Sequence, residues 1–158
     1  MRRAFSFLFT ACLVLAPLAA RAADGGAAAI ARDIDERFGK ACGAGDVAAV
    51  VALYAADATA IFPGQGAVAR GRAEIEQLAR AQCDPKSGVV LHLDEARARR
   101  LGRDHISVVG RWTLTAPTPG GAPATSEVRT SEILVRTAEG WRYLVDHASV
   151  GVPPPAAR

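Results

Sequence analysis

The stretch "AGDVAAVVALYAADATAIFPGQGAVARGRAEI", Ala44–Ile75, sets the order of elements for the whole chain. Asp46 is a helix N-cap, because its short carboxylate can accept hydrogen bonds from the free amides of the first turn. The helix it opens reads "VAAVVALYAA", and "DATAIFPG" follows as a turn and a short strand stopped by Pro63-Gly64. "GRAEIEQLARAQC" is a further helix, broken at Asp84-Pro85 where proline removes an amide donor.

Upstream of this stretch, Ile30, Ile34, Phe38 and Cys42 recur at the spacing of one helical face, and Gly43 and Gly45 end that helix. Downstream the period changes. "GVVLHLDEARARRL", "DHISVVGRWTLTAP", "TSEVRTSEILVRT" and "GWRYLVDHASVG" alternate or are rich in β-branched and aromatic residues, with "GRD", "TPGGAP" and "AEG" as turns between them. Long strands with short connections predict an antiparallel meander. Three helices followed by such a sheet predict an α+β domain, helices packed on one face of a curved sheet that encloses a cone-shaped apolar cavity.

The first residues lie outside this pattern. "MRRAFSFLFTACLVLAPLAARA" carries two arginines, an apolar run and a small-residue close at Ala20-Arg21-Ala22, the three parts of a signal peptide. Cleavage is expected after Ala22, leaving a periplasmic or secreted domain over residues 23–152, a loose tail at 153–158 and no membrane span; a retained anchor is the alternative. Three of the 19 basic side chains, Arg2, Arg3 and Arg21, leave with the leader, and the other 16 match the 16 acidic ones. The basic balance of the full chain is thus a targeting feature, and nucleic acid is not an expected partner. In an oxidising compartment Cys42 and Cys83 are expected to pair as a disulfide, two separate buried thiols being the alternative.

The order of elements, together with Ala44-Gly45-Asp46, the "ALYAADA" segment, Gly71-Arg72 before a helix, and Trp141 with Asp146-His147-Ala148-Ser149, resembles the nuclear transport factor 2-like superfamily. Within it the chain is most similar to the SnoaL-like and ketosteroid-isomerase-like proteins. The resemblance implies the cone-shaped fold and pairing into a homodimer through the outer face of the sheet. It does not imply one activity, because such folds serve many. Phe38 falls where the isomerase carries its oxyanion-hole tyrosine, and Phe62 where it carries its proton-shuttling aspartate. Phenylalanine can fill neither role. Glu132 is the nearest candidate for the isomerase's second acid, on a strand where a slip of one residue reverses the faces.

On "WRYLVDHAS" a strict period of two puts Trp141, Tyr143, Val145, His147 and Ser149 on one face and Asp146 on the other, and the resemblance implies that the first set faces the cavity. His147 is then a structural histidine, a ligand-orienting group, or a general acid or base. Phe38, Tyr54, Phe62, Trp112, Trp141, Tyr143 and His147 form the expected ligand-binding set. His92, His105 and His147 sit on different strands without a close-spaced pair, so no metal site is expected. Nor is a nicotinamide, a flavin or any other cofactor. The expected function is binding of a small hydrophobic molecule. The alternatives are an enzyme (isomerase, lyase or hydrolase) using His147 for proton transfer, and a dimerising association module with a filled pocket.

Overall fold

The computed structural model describes residues 16–64 and 66–151. The greater part of the expected leader, and the tail at 153–158, lie outside them. Helix α1 (Ala16–Gly43) is followed by α2 (Val47–Ala52), β1 (Tyr54–Ile61), the short β2 (Ala69–Arg70) and α3 (Gly71–Gln82). Strands β3 (Val90–Arg100), β4 (His105–Ala116), β5 (Ala124–Thr137) and β6 (Gly140–Val150) complete the chain. Among the described residues no helix is long and apolar enough to cross a membrane.

Local chemistry starts the elements where expected. The Asp46 carboxylate accepts from the Ala49 amide at 3.0 Å and caps α2. The Glu74 carboxylate reaches back to the Arg70 amide at 2.7 Å and closes the first turn of α3. Helix α2 ends earlier than the apolar run does, so Tyr54 opens β1 and does not close the helix. Cys42, in the last turn of α1, and Cys83, just after α3, are joined by a disulfide with Cα atoms 4.6 Å apart.

The six strands form one sheet in the order β2-β1-β6-β5-β4-β3. It is mixed, which corrects the expected all-antiparallel meander: β6 lies between β5 and β1 and runs parallel to β1 (Ala60 beside Asp146, Ile61 beside His147). Everything between these two strands serves as their crossover, long enough for a parallel pair. The inner face buries Ile106, Val108, Trp112, Val128, Leu134 and Tyr143, and α1, α2 and α3 bring Ile34, Val50 and Ile75 into the core.

A bulge in β6 decides which side chains face inward. Ile133 pairs with Val145 but the next residue, Leu134, pairs with Tyr143, so Leu144 is an extra residue in the strand. Tyr143 points into the core before the bulge; after it Asp146 and Ala148 are buried while Val145, His147 and Ser149 are exposed. The expected face assignment of the second half of β6 is thereby reversed, because one inserted residue shifts a period of two by half a cycle.

Candidate functional site

Between the helices and the inner face of the sheet lies a cavity with mostly apolar walls: Phe38 from α1, Phe62 and Pro63 after β1, Leu91 from β3, Trp112 from β4, Val128 and Ala148. Gln82 at the end of α3 adds a neutral polar group. Phe38 is the centre of the aromatic wall, its ring edge-on to those of Phe62, Trp112 and Tyr143 at centroid separations of 6.0, 6.2 and 6.3 Å. The cavity is partly open: it offers about 40 Å³ to the centres of water-sized spheres and about 470 Å³ of empty space when the part open to solvent is counted. That room holds about three waters. A larger ligand must place most of its body in the mouth.

The floor is polar, and its polar groups are not the expected His147. Thr130, Glu132, Tyr143 and Asp146 line it, and Asp35 and Tyr54 stand behind them. Glu132 and Asp146 are directly opposite each other on β5 and β6. The Tyr54 hydroxyl donates to Asp146 Oδ2 at 2.5 Å, and the Tyr143 hydroxyl donates to Asp35 Oδ1 at 2.6 Å. Three carboxyl groups from α1, β5 and β6 thus share one buried space, two of them steadied by a tyrosine.

Burial governs their protonation. It pushes Asp35 up to about 7, against the opposing hydrogen bonds of Tyr143 and Glu132. Burial likewise pushes Asp146 up to about 6, against the Tyr54 hydrogen bond and the charge of His147. Glu132 lies well above the ordinary carboxylate range, through burial first and then the negative charges of Asp35 and Asp146. Were all three ionised, Asp35 Oδ2 and Glu132 Oε2 would have no donor. A proton retained on Glu132 and given to Asp35 supplies one. Burial also lifts both tyrosines well above their ordinary value, so they remain donors at neutral pH.

Two polar atoms of the floor are left over. Trp112 Nε1 and Thr130 Oγ1 are buried without a hydrogen-bond partner. Thr130 is near enough to Glu132 to draw its carboxyl down, although its hydroxyl makes no well-formed hydrogen bond among the described residues. Both atoms crowd Gly110, the residue opposite Thr130 on β4: a Cβ there would lie 2.3 Å from the threonine hydroxyl and 3.1 Å from the indole nitrogen.

Of the residues expected at the site, the fold brings Phe38, Phe62, Trp112 and Tyr143 to the cavity, with Tyr54 behind its floor. Trp141 is elsewhere. It is half-buried in a separate surface groove with Ile30, Arg37 and Arg142, and the Arg100 guanidinium lies 5.7 Å from its ring centroid. His147 is exposed on the outer face of the sheet beside Ser131, a consequence of the bulge at Leu144. Asp35 and Asp146 were not anticipated. Asp35 falls between Ala31 and Phe38 on the buried stripe of α1, and an acid on such a stripe was the available signal. Asp146 could not be read without knowledge of the bulge. The Glu132 face, open in the sequence, is the inner one, where Val128, Thr130 and Leu134 alternate with it.

This architecture defines a cone-shaped α+β domain with an acid-floored pocket, and solved structures of the same shape are nuclear transport factor 2-like proteins. One from Novosphingobium aromaticivorans, an NTF2-like protein with a cystatin-like fold, is 24% identical with a TM-score of 0.71 over 92% of this chain and 96% of its own. A ketosteroid isomerase-like protein from Erwinia carotovora is 18% identical, TM-score 0.64, over 80% of this chain and 97% of its own. A Nostoc punctiforme protein of unknown function with a cystatin-like fold is 16% identical, TM-score 0.67, over 82% and 94%. The chain belongs to the SnoaL-like domain family, whose model matches residues 32–153. No curated protein matches the sequence.

Proposed function

We propose that this SnoaL-like protein binds a small molecule, its apolar body among Phe38, Phe62, Leu91 and Trp112 and one polar group on the Asp146–Glu132 floor. The observation that carries this reading is Asp146. It lies at the base of an apolar-walled cavity with Oδ2 held by Tyr54, and no hydrogen bond from the described residues reaches its Oδ1. Pockets that combine apolar walls with a few convergent polar groups are the usual form of a small-molecule site. The room that remains inside argues against an association module with a filled pocket.

Proton transfer to or from the bound molecule is a second reading, favoured by an Asp146 pushed up to about 6, where it can both give and take a proton near neutral pH. In this reading Asp146 takes the role first sought at His147. We also place the protein outside the cytoplasm. The leader pattern supports this, and so does the Cys42–Cys83 bridge, since disulfides persist in oxidising compartments.

Native mass spectrometry of the exported protein, followed by Trp112 fluorescence titrations with cyclohexanone, n-hexanol and n-hexylamine, tests the binding reading. A co-purifying molecule, or a saturable change in emission that Phe38→Ala abolishes, is expected. Bare protein that responds to none of the three probes overturns it. Exchange of the α-hydrogens of cyclohexanone in D2O, followed by NMR, separates the second reading: acceleration lost in Asp146→Asn supports proton transfer, and a rate equal to buffer leaves a binder only.

A further inference from the structure

We propose that the polar end of the ligand is a primary ammonium, an organic cation seated on the Asp146–Glu132 floor. The inference rests on the binding reading above and names the chemical class it leaves open. Charge is the first argument. Among the described residues the cavity is lined by two carboxyl groups and no lysine, arginine or histidine. Asp35 adds a third carboxyl directly behind, and the groups that face it from β1 and β6 are the neutral Tyr54 and Tyr143. The nearest cations point elsewhere: Arg32 on α1 is half-exposed and paired with Glu36 at 3.6 Å, and His147 is on the opposite face of the sheet. A floor of this kind lacks a positive charge, and once its carboxyl groups ionise it repels a ligand anion.

Thr130 supplies an independent argument. It lines the cavity while only 7% exposed, beside Glu132, and its hydroxyl oxygen accepts no hydrogen bond from the described residues. An acceptor left over beside two carboxyl groups suits a donor with several N–H bonds, and a primary ammonium has three. Size and wall chemistry agree. About 40 Å³ accepts an ammonium and its first methylene, while the alkyl or aryl remainder lies in the mouth. The walls include the rings of Phe38, Phe62, Trp112 and Tyr143, and a cation seated over the face of such a ring is attracted to it. A neutral alcohol could hydrogen-bond to the same floor, but would leave its shared proton in place and its missing charge unsupplied.

A linked proton distinguishes the two. The ammonium favours the ionised floor, so its binding expels the proton that burial retains on Asp35, Glu132 or Asp146. Its affinity must therefore rise as pH rises through about 6 to 7 and level off above, whereas a neutral ligand gains nothing from that ionisation.

Isothermal titration calorimetry of the exported protein with n-hexylammonium, n-hexanol and n-hexanoate reads this directly. The expected result is at least tenfold tighter binding of n-hexylammonium at pH 7.5 than at pH 5.0, proton release seen as a heat that depends on the buffer, and no binding of n-hexanoate. Asp146→Asn should weaken n-hexylammonium at least tenfold and by a larger factor than it weakens n-hexanol. Glu132→Gln serves as a second variant should the first fail to fold. Binding of n-hexanol as tight as that of n-hexylammonium at both pH values overturns the ammonium and leaves the pocket standing. Failure of all three probes overturns the pocket as well.

Discussion

Replacing Asp35 by asparagine should stabilise this protein at alkaline pH, although the residue is fully buried and hydrogen-bonded. The amide has the same shape, its oxygen still accepts from Tyr143, and its nitrogen can donate towards Glu132. What it lacks is the ability to ionise. The folded protein keeps the Asp35 proton up to about pH 7, whereas the ordinary value for the unfolded chain is 3.8. Between those limits the folded state binds more protons than the unfolded one, so stability is lost as pH rises through the window. A rise of about three pKa units corresponds to about 4 kcal/mol, fully expressed at pH 8 and absent at pH 4. Urea unfolding of wild type and Asp35→Asn at the two pH values measures it. The variant should be more stable at pH 8 by up to about 4 kcal/mol, with the difference vanishing towards pH 4. An Asp35→Asn loss of stability that is equal at both pH values would refute the reasoning, and would show that the carboxylate is stabilised as an anion.

Other perturbations follow from the same site. Gly110→Ala forces a methyl group against the Thr130 hydroxyl and the Trp112 indole, so it should cost about 1–3 kcal/mol in thermal unfolding and alter the tryptophan emission. Replacing Cys42 and Cys83 together by alanine opens a loop with a sequence separation of 41 residues, and the chain-entropy model puts the loss at about 3–4 kcal/mol in denaturant unfolding. His147→Ala removes an exposed side chain on the outer face, so stability should change by less than about 0.5 kcal/mol and binding of the probe amine should remain within a factor of two. Loss of that binding would return the histidine to the site.

Much of the fold was legible because it rests on local signals. The Asp46 cap, the Pro63-Gly64 stop and the alternating strands each have a cause within a few residues. Cys42 and Cys83 could be paired by compartment chemistry before any geometry was known. The parallel pairing of β1 with β6 could not be seen, because strand order depends on contacts remote in sequence. The site was half legible for a related reason. Phe38, on the apolar face of its helix, and the large apolar residues Phe62 and Trp112 do line the cavity. The exchange of His147 for Asp146 has one cause, the extra residue Leu144, and a bulge of that kind leaves no mark in the alternation itself. Asp35 was hidden by convention: an acid beside apolar positions is read as the solvated edge of a helix, yet this one is buried and its cost is met by Tyr143 and a shared proton.

An acid cluster that keeps a proton at neutral pH lies beneath the apolar pocket. Carboxyl ¹³C shifts of the aspartate and glutamate side chains, followed by NMR from pH 3 to 9, test it most directly. Two carboxyl groups titrating near 6 and 7, assigned to Asp146 and Asp35, with Glu132 well above the ordinary range, are the predicted result. All three titrating with the surface carboxylates near 4 would contradict the shared proton, and with it the floor on which both the binding site and the ammonium ligand depend.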